Sequence, residues 1–162
     1  MTVNDQLVEP DYNGGGITNL ASSILEAFDL EPPSAPCAAR FHLQEVLSDV
    51  SAVVLFVCDA FGLRQLETAL GNHSLPLLEN VIDSSPWGVQ TLTSVFPTTT
   101  TVALPSLVSG YPPSTHGVLG MRQWLDRFGS VCDMLRFCTT EAEPQEFDEE
   151  ALPPLKTVFH RL

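Results

Sequence analysis

Two rhythms of apolar positions run along this chain. After a turn-rich stretch at 10–16, Leu20, Ile24, Leu25 and Phe28 recur at helical spacing, so 17–28 is predicted to be an amphipathic helix with Thr18 or Asn19 as its cap. Glu31-Pro32-Pro33-Ser34-Ala35-Pro36 then breaks it. The continuous β-branched and aromatic run at 52–58 predicts a strand buried on both faces, as in a parallel sheet, with Cys58 in the core. A helix is expected over 63–70, stopped by Gly71-Asn72-His73-Ser74, followed by a short apolar element at 77–82. Residues 88–96 alternate Val89, Thr91, Thr93 and Val95 against Gln90, Leu92 and Ser94, and predict a second strand.

Residues 102–109 are a helix candidate in which Pro105 requires either an irregular first turn or a start near the proline itself. Beyond Gly120 the residues Trp124, Phe128, Val131, Met134, Leu135 and Phe137 mix both periods, and the pattern assigns neither element. The acidic stretch 141–150 reads as a solvated loop, and Val158, Phe159 and Leu162 as the start of an amphipathic helix over 155–162. Strands alternating with helices point to an α/β three-layer architecture, a mostly parallel sheet flanked by helices. Residues 1–36 are expected to form an N-terminal strap and Pro-rich link, and 37–162 the domain proper.

Composition narrows the chemistry. The 162 residues suffice for one domain with a core, and 44% apolar content with a mean hydropathy of +0.12 excludes disorder for most of the length. A net charge of −13, from 20 acids against 7 bases with Lys156 the only lysine, argues against a nucleic-acid groove. Phosphate chemistry on so acidic a chain calls for metal ions to supply the positive charge. No run reaches the roughly 20 apolar residues that span a bilayer, and residues 1–12 lack the basic and apolar regions of a signal peptide, so a cytoplasmic location is expected. Cys37, Cys58, Cys132 and Cys138 show no metal-binding spacing and read as free thiols.

Three places can carry chemistry. Asp59 follows the most buried predicted strand, where open α/β sheets place ligand sites; alone, such an acid more often caps the next helix. Thr98-Thr99-Thr100-Thr101 lies between a strand and a helix, where N–H groups and the helix dipole favour an anion beside a hydroxyl. Its bland reading is a strand end and an N-cap. His116, in the turn Gly110-Tyr111-Pro112-Pro113-Ser114-Thr115-His116-Gly117, is either a ligand or phosphate donor or, more commonly for such a residue, a partner of the loop backbone. His42, His73 and His160 are scattered and form no metal-binding pair.

Jointly, three segments resemble the alkaline phosphatase superfamily in its type I phosphodiesterase and nucleotide pyrophosphatase branch. They are Val53-Val54-Leu55-Phe56-Val57-Cys58-Asp59-Ala60-Phe61-Gly62, Thr93-Ser94-Val95-Phe96-Pro97-Thr98-Thr99-Thr100 and Leu107-Val108-Ser109-Gly110-Tyr111-Pro112-Pro113-Ser114-Thr115-His116-Gly117. The likeness is close over about 53–136, and Pro10-Asp11-Tyr12-Asn13-Gly14-Gly15-Gly16-Ile17 looks like the leader of bacterial members. It implies a soluble phosphodiesterase or nucleotide pyrophosphatase acting on a small phosphate ester or nucleotide. Asp59 would be a metal ligand, and Thr100 both nucleophile and metal contact, with Thr98 and Thr101 as rivals. The family holds two divalent ions, usually zinc, with three Asp and three His, and passes through a phospho-threonine.

Ala60 stands where many members have Gly, and Met121 where nucleotide-cleaving members have a phosphate-binding asparagine. The resemblance thus implies the amino-terminal part of such an enzyme, inactive by itself because the remaining ligands fall in later segments. A phosphomutase-like or sulfatase-like relative is the alternative enzyme, the latter opposed by a threonine at 100. A catalytically inactive binding or assembly module retaining the fold is the alternative of another class.

Overall fold

The computed structural model describes residues 8–147 and 155–161. They divide into two units, one formed up to Ala38 and from Leu92 onward, the other by Ala39–Thr91. In the first unit, helix α1 (Ile17–Ala27) packs on helix α5 (Thr100–Ser109). The predicted helix is therefore present, but its N-cap is Gly16, not Thr18 or Asn19. Asn19 sits three residues inside and turns its Oδ1 back to accept from the Gly16 N–H at 2.9 Å, half of a capping box.

The buried face of α1 mixes Ala21 and Leu25 with Thr18, Asn19, Ser22 and Ser23, and the last three are hydrogen-bonded. Asn19 Nδ2 donates to the carbonyls of Tyr12 and Ala35, Ser22 bonds Ser34, and Ser23 Oγ accepts from Cys37 N–H. Small hydroxyl and amide side chains thus fasten the Pro-rich link along the helix, whereas the buried Thr18 hydroxyl has no partner among the described residues. Ala21 and Leu25 meet Val158, from a single 3₁₀ turn at Val158–His160 where a longer amphipathic helix was expected.

Pro105 lies inside α5, which starts five residues earlier, at Thr100. The helix ends at Gly110 with φ +76°, and a short helix α6 (Pro113–His116) follows, ending at Gly117 with φ +73°. The stretch of mixed periodicity resolves into an antiparallel sheet of β1 (Arg122–Leu125), β2 (Ser130–Asp133) and β3 (Cys138–Thr139), in that order. Arg122 pairs with Asp133 and Leu125 with Ser130. Val118, Cys132 and Met134 form its core, with Leu125, Phe128 and Phe147 against them. Residues 141–147 lack helix or strand apart from a bridge at Glu146, and the end of the acidic stretch, 148–150, lies outside the described residues.

The second unit holds helices α2 (Leu43–Val46), α3 (Leu63–Gly71) and α4 (Pro76–Ser84). The stop expected at 71–74 is made by His73 at φ +51°, with Ser74 N–H donating to the Ala69 carbonyl in a Schellman-like turn. The element expected at 77–82 is α4, opened by Pro76 at its first position.

The fold is mixed α/β, but two expected strands change. Residues 52–58 form no strand; Val54 and Phe56 are 75% and 86% exposed, and Cys58 is exposed rather than in a core. A central parallel strand is stable only between two neighbours and under helices on both faces, and no described strand pairs with this run. The second strand survives only as a parallel bridge between Thr93 and Gly16. No described helix is long and apolar enough to cross a membrane.

Candidate functional site at the start of helix α5

Thr98 to Thr101 make the entry to α5. Thr99 is the N-cap residue in extended conformation, and its carbonyl accepts from Val102 and Ala103 N–H at 3.0 and 2.8 Å. Its hydroxyl does not cap the helix; it lies 3.2 Å from the Thr101 hydroxyl. Thr98 Oγ1 donates to the Val95 carbonyl at 2.8 Å, and Thr101 is buried. Thr100 is the first helical residue and half-buried. The dipole of α5 favours negative charge at its first turn, where the Thr99 and Val102 N–H groups are already bonded to the Pro97 and Thr99 carbonyls.

The segment entering this turn is held by the leader at 11–17. Thr93 Oγ1 accepts from Asp11 N–H at 2.8 Å and donates to the Gly15 carbonyl at 3.3 Å. Thr93 N–H donates to Gly15 O, Ile17 N–H to Thr93 O, and Phe96 N–H to the Tyr12 hydroxyl at 3.3 Å. Gly16 is required here: a Cβ would stand 2.5 Å from the Asp11 carbonyl oxygen. The Phe96–Pro97 peptide bond is cis.

His116, at the other end of α5, is 1% exposed. Val118 N–H donates to Nδ1 at 3.2 Å, which leaves the ring proton on Nε2, 2.8 Å from Ser106 Oγ. Burial lowers its pKa below the usual 6.5, and hydrogen bonding to backbone at Val102 and at His116 itself opposes this in part. Of the two readings of His116, the structure supports the backbone partner: a buried histidine bonded at both nitrogens fastens α6 to α5.

Asp59 belongs to the other unit and is exposed in a turn closed by Phe61 N–H to Cys58 O at 3.4 Å. Ala60 has φ +56°, a conformation that costs an L-residue about 1–2 kcal/mol and glycine nothing comparable. Met121 is exposed, and its carbonyl accepts from Met134 N–H at 2.9 Å.

Asp59 and Thr100 thus lie in separate units. Among the described residues no three His, Cys, Asp or Glu side chains converge as metal ligands, so these two do not by themselves make the donor set of one ion, which needs about four. Sequence reading passed over the residues that organise the entry to α5. Tyr12 and Thr93 were legible only as a turn residue and a strand residue, and Asn19 only as a cap.

Residues 53–151, more than half of the chain, match the family model described as type I phosphodiesterase / nucleotide pyrophosphatase. No curated protein and no solved structure gives a significant match. The matched span contains Asp59, the whole Thr98–Thr101 turn and His116, the three places where the sequence had suggested chemistry. The chain belongs to the type I phosphodiesterase / nucleotide pyrophosphatase family.

Proposed function

We propose that the chain carries the nucleophile-bearing portion of a metal-dependent phosphoric ester hydrolase, with Thr100 as nucleophile and Asp59 as a metal ligand. The observation that carries this reading is the position of Thr100 as the first residue of a ten-residue helix within the family match. An anion bound there would face the positive end of the helix beside the attacking hydroxyl. Thr100 Oγ1, giving up its proton, would bond to phosphorus as the P–O bond to the leaving group breaks and that group departs protonated, and water would then attack phosphorus, release the phosphate product and return the hydroxyl.

Two divalent ions, zinc in the usual case, would supply the charge to activate the hydroxyl and neutralise the phosphate. The described residues do not complete a cage for them, so the remaining ligands must come from elsewhere, and the chain by itself is expected to be inactive. In this reading 1–36 serve as a strap, and 37–162 as the amino-terminal part of a three-layer domain in which 52–58 would take the central strand. The substrate class is a small phosphate ester or nucleotide. Four free thiols suit a cytosolic setting.

A second reading, an assembly module that retains the family fold, is favoured by the exposed run Val54-Leu55-Phe56-Val57. Metal content separates the two, since two tightly held ions belong only to the hydrolase. The direct test is to quench an active, metal-loaded preparation with substrate and map the phosphorylated residue by mass spectrometry. Phosphate on Thr100 is expected; phosphate on Thr98 or Thr101 would reassign the nucleophile, and an active preparation that never labels would overturn the covalent route.

A further inference from the structure

We propose that the glycine-rich leader is a positioning device for the turn at 98–101, with Thr93 and Tyr12 as its positioning residues. This rests on the reading of Thr100 as nucleophile. A leader that merely started α1 would need only Gly16 and the Asn19 side chain that answers it. Instead Asp11, Tyr12 and Gly15 all spend hydrogen bonds on 93–96, more than 75 positions away in the chain.

The contacts form a continuous path. Thr93 uses its N–H, its carbonyl and both capacities of its hydroxyl on the leader. Two residues on, Val95 is 2% exposed and its carbonyl accepts from the Thr98 hydroxyl. Between them and the helix, Phe96 N–H is held by the Tyr12 hydroxyl. The leader itself is anchored, because the fully buried Asn19 ties the Tyr12 carbonyl to the Ala35 carbonyl. Thr100 lies only seven positions after Thr93, so fixing 93, 95, 96 and 98 leaves the nucleophile little freedom to wander. Misplacing a reacting atom by an ångström costs on the order of 100-fold in rate, so rigid support here has a catalytic reason.

The test compares Tyr12→Phe, Thr93→Val and Thr93→Ser with the parent chain by amide hydrogen exchange and thermal melting. Tyr12→Phe removes one hydroxyl and keeps the ring. It is expected to speed exchange over 96–101 by roughly three- to tenfold while the melting temperature stays close to the parent's. Thr93→Val should release both 11–16 and 93–101, and Thr93→Ser should restore protection. Unchanged exchange over 96–101 in Tyr12→Phe would overturn the proposal. So would a uniform loss of protection across α1 and α5 with a lowered melting temperature, the mark of a purely structural contact. In a preparation whose turnover depends on Thr100, Tyr12→Phe should lower kcat with KM unchanged. Turnover that survives Thr100→Ala would overturn the nucleophile reading instead, while the exchange data would still decide whether the leader holds the turn.

Discussion

Ser106 Oγ lies 2.8 Å from His116 Nε2, and both side chains are at most 1% exposed. The pair joins the middle of α5 to α6, and the Val118 N–H on the opposite ring nitrogen requires the imidazole to be neutral. A folded-state pKa below 6.5 means that the unfolded chain binds a proton the folded chain refuses.

Stability is therefore expected to be full above about pH 6.5 and to decline as pH falls from there toward the lowered folded-state pKa, by at most about 1.4 kcal/mol per pH unit. Denaturant unfolding between pH 8 and 5 measures this, and His116→Gln should remove that share of the slope. An identical slope in the variant would show that the acid sensitivity originates elsewhere.

Gly110 sits at φ +76°, and a Cβ there would meet Pro33 Cγ at 2.7 Å and Ser22 Oγ at 3.2 Å. Gly129 has φ +57° with nothing near its Cβ position. Gly129→Ala should cost only the conformational penalty, about 1 kcal/mol, whereas Gly110→Ala should cost about 2 kcal/mol or more, since the link must also move off α5. Equal losses in equilibrium unfolding would mean that the link does not press on α5.

Cys58 is exposed at the end of the apolar run 52–58, and Cys132 is fully buried in the sheet core. With an aqueous thiol reagent under native conditions, Cys58 should label at a rate near that of a free thiol. Cys132 should wait for unfolding. Cys37, buried and with its thiol pKa raised by burial, should also lag. Protection of Cys58 would show that 52–58 has found strand partners, in another copy or another chain.

For Asp59, the expected result is a loss of zinc affinity of about 10- to 100-fold or more in Asp59→Asn, measured by titration on a metal-binding form of the enzyme. Unchanged affinity and stoichiometry would return Asp59 to the role of a turn residue. Under the proposed function the 162-residue chain alone is expected to show no chelator-sensitive hydrolysis of p-nitrophenyl phosphate, and turnover abolished both by chelation and by Thr100→Ala would overturn that expectation.

Where an element is made by neighbours in the chain, it was legible. Helices α1 and α3 follow from apolar spacing and local stops, because helical hydrogen bonds close within four residues and a positive-φ residue such as His73 ends them on the spot, while α4 was legible only as a short apolar element. The family, too, was written in the residues: the three motifs that suggested it lie inside the span that matches it. What composition could not supply was partners. The run 52–58 is β-branched and apolar enough for a central strand, yet a strand exists only when another strand bonds to it, and none described does. The hairpin of β1 and β2 is the converse case, with a weak pattern fixed by the pairing of Arg122 with Asp133 and by burial of Cys132 and Met134. Asn19, Thr93 and His116 carry ordinary signals along the chain. Their roles were decided by contacts with Tyr12, Ala35, the leader and Ser106, which depend on how α1, α5 and α6 pack.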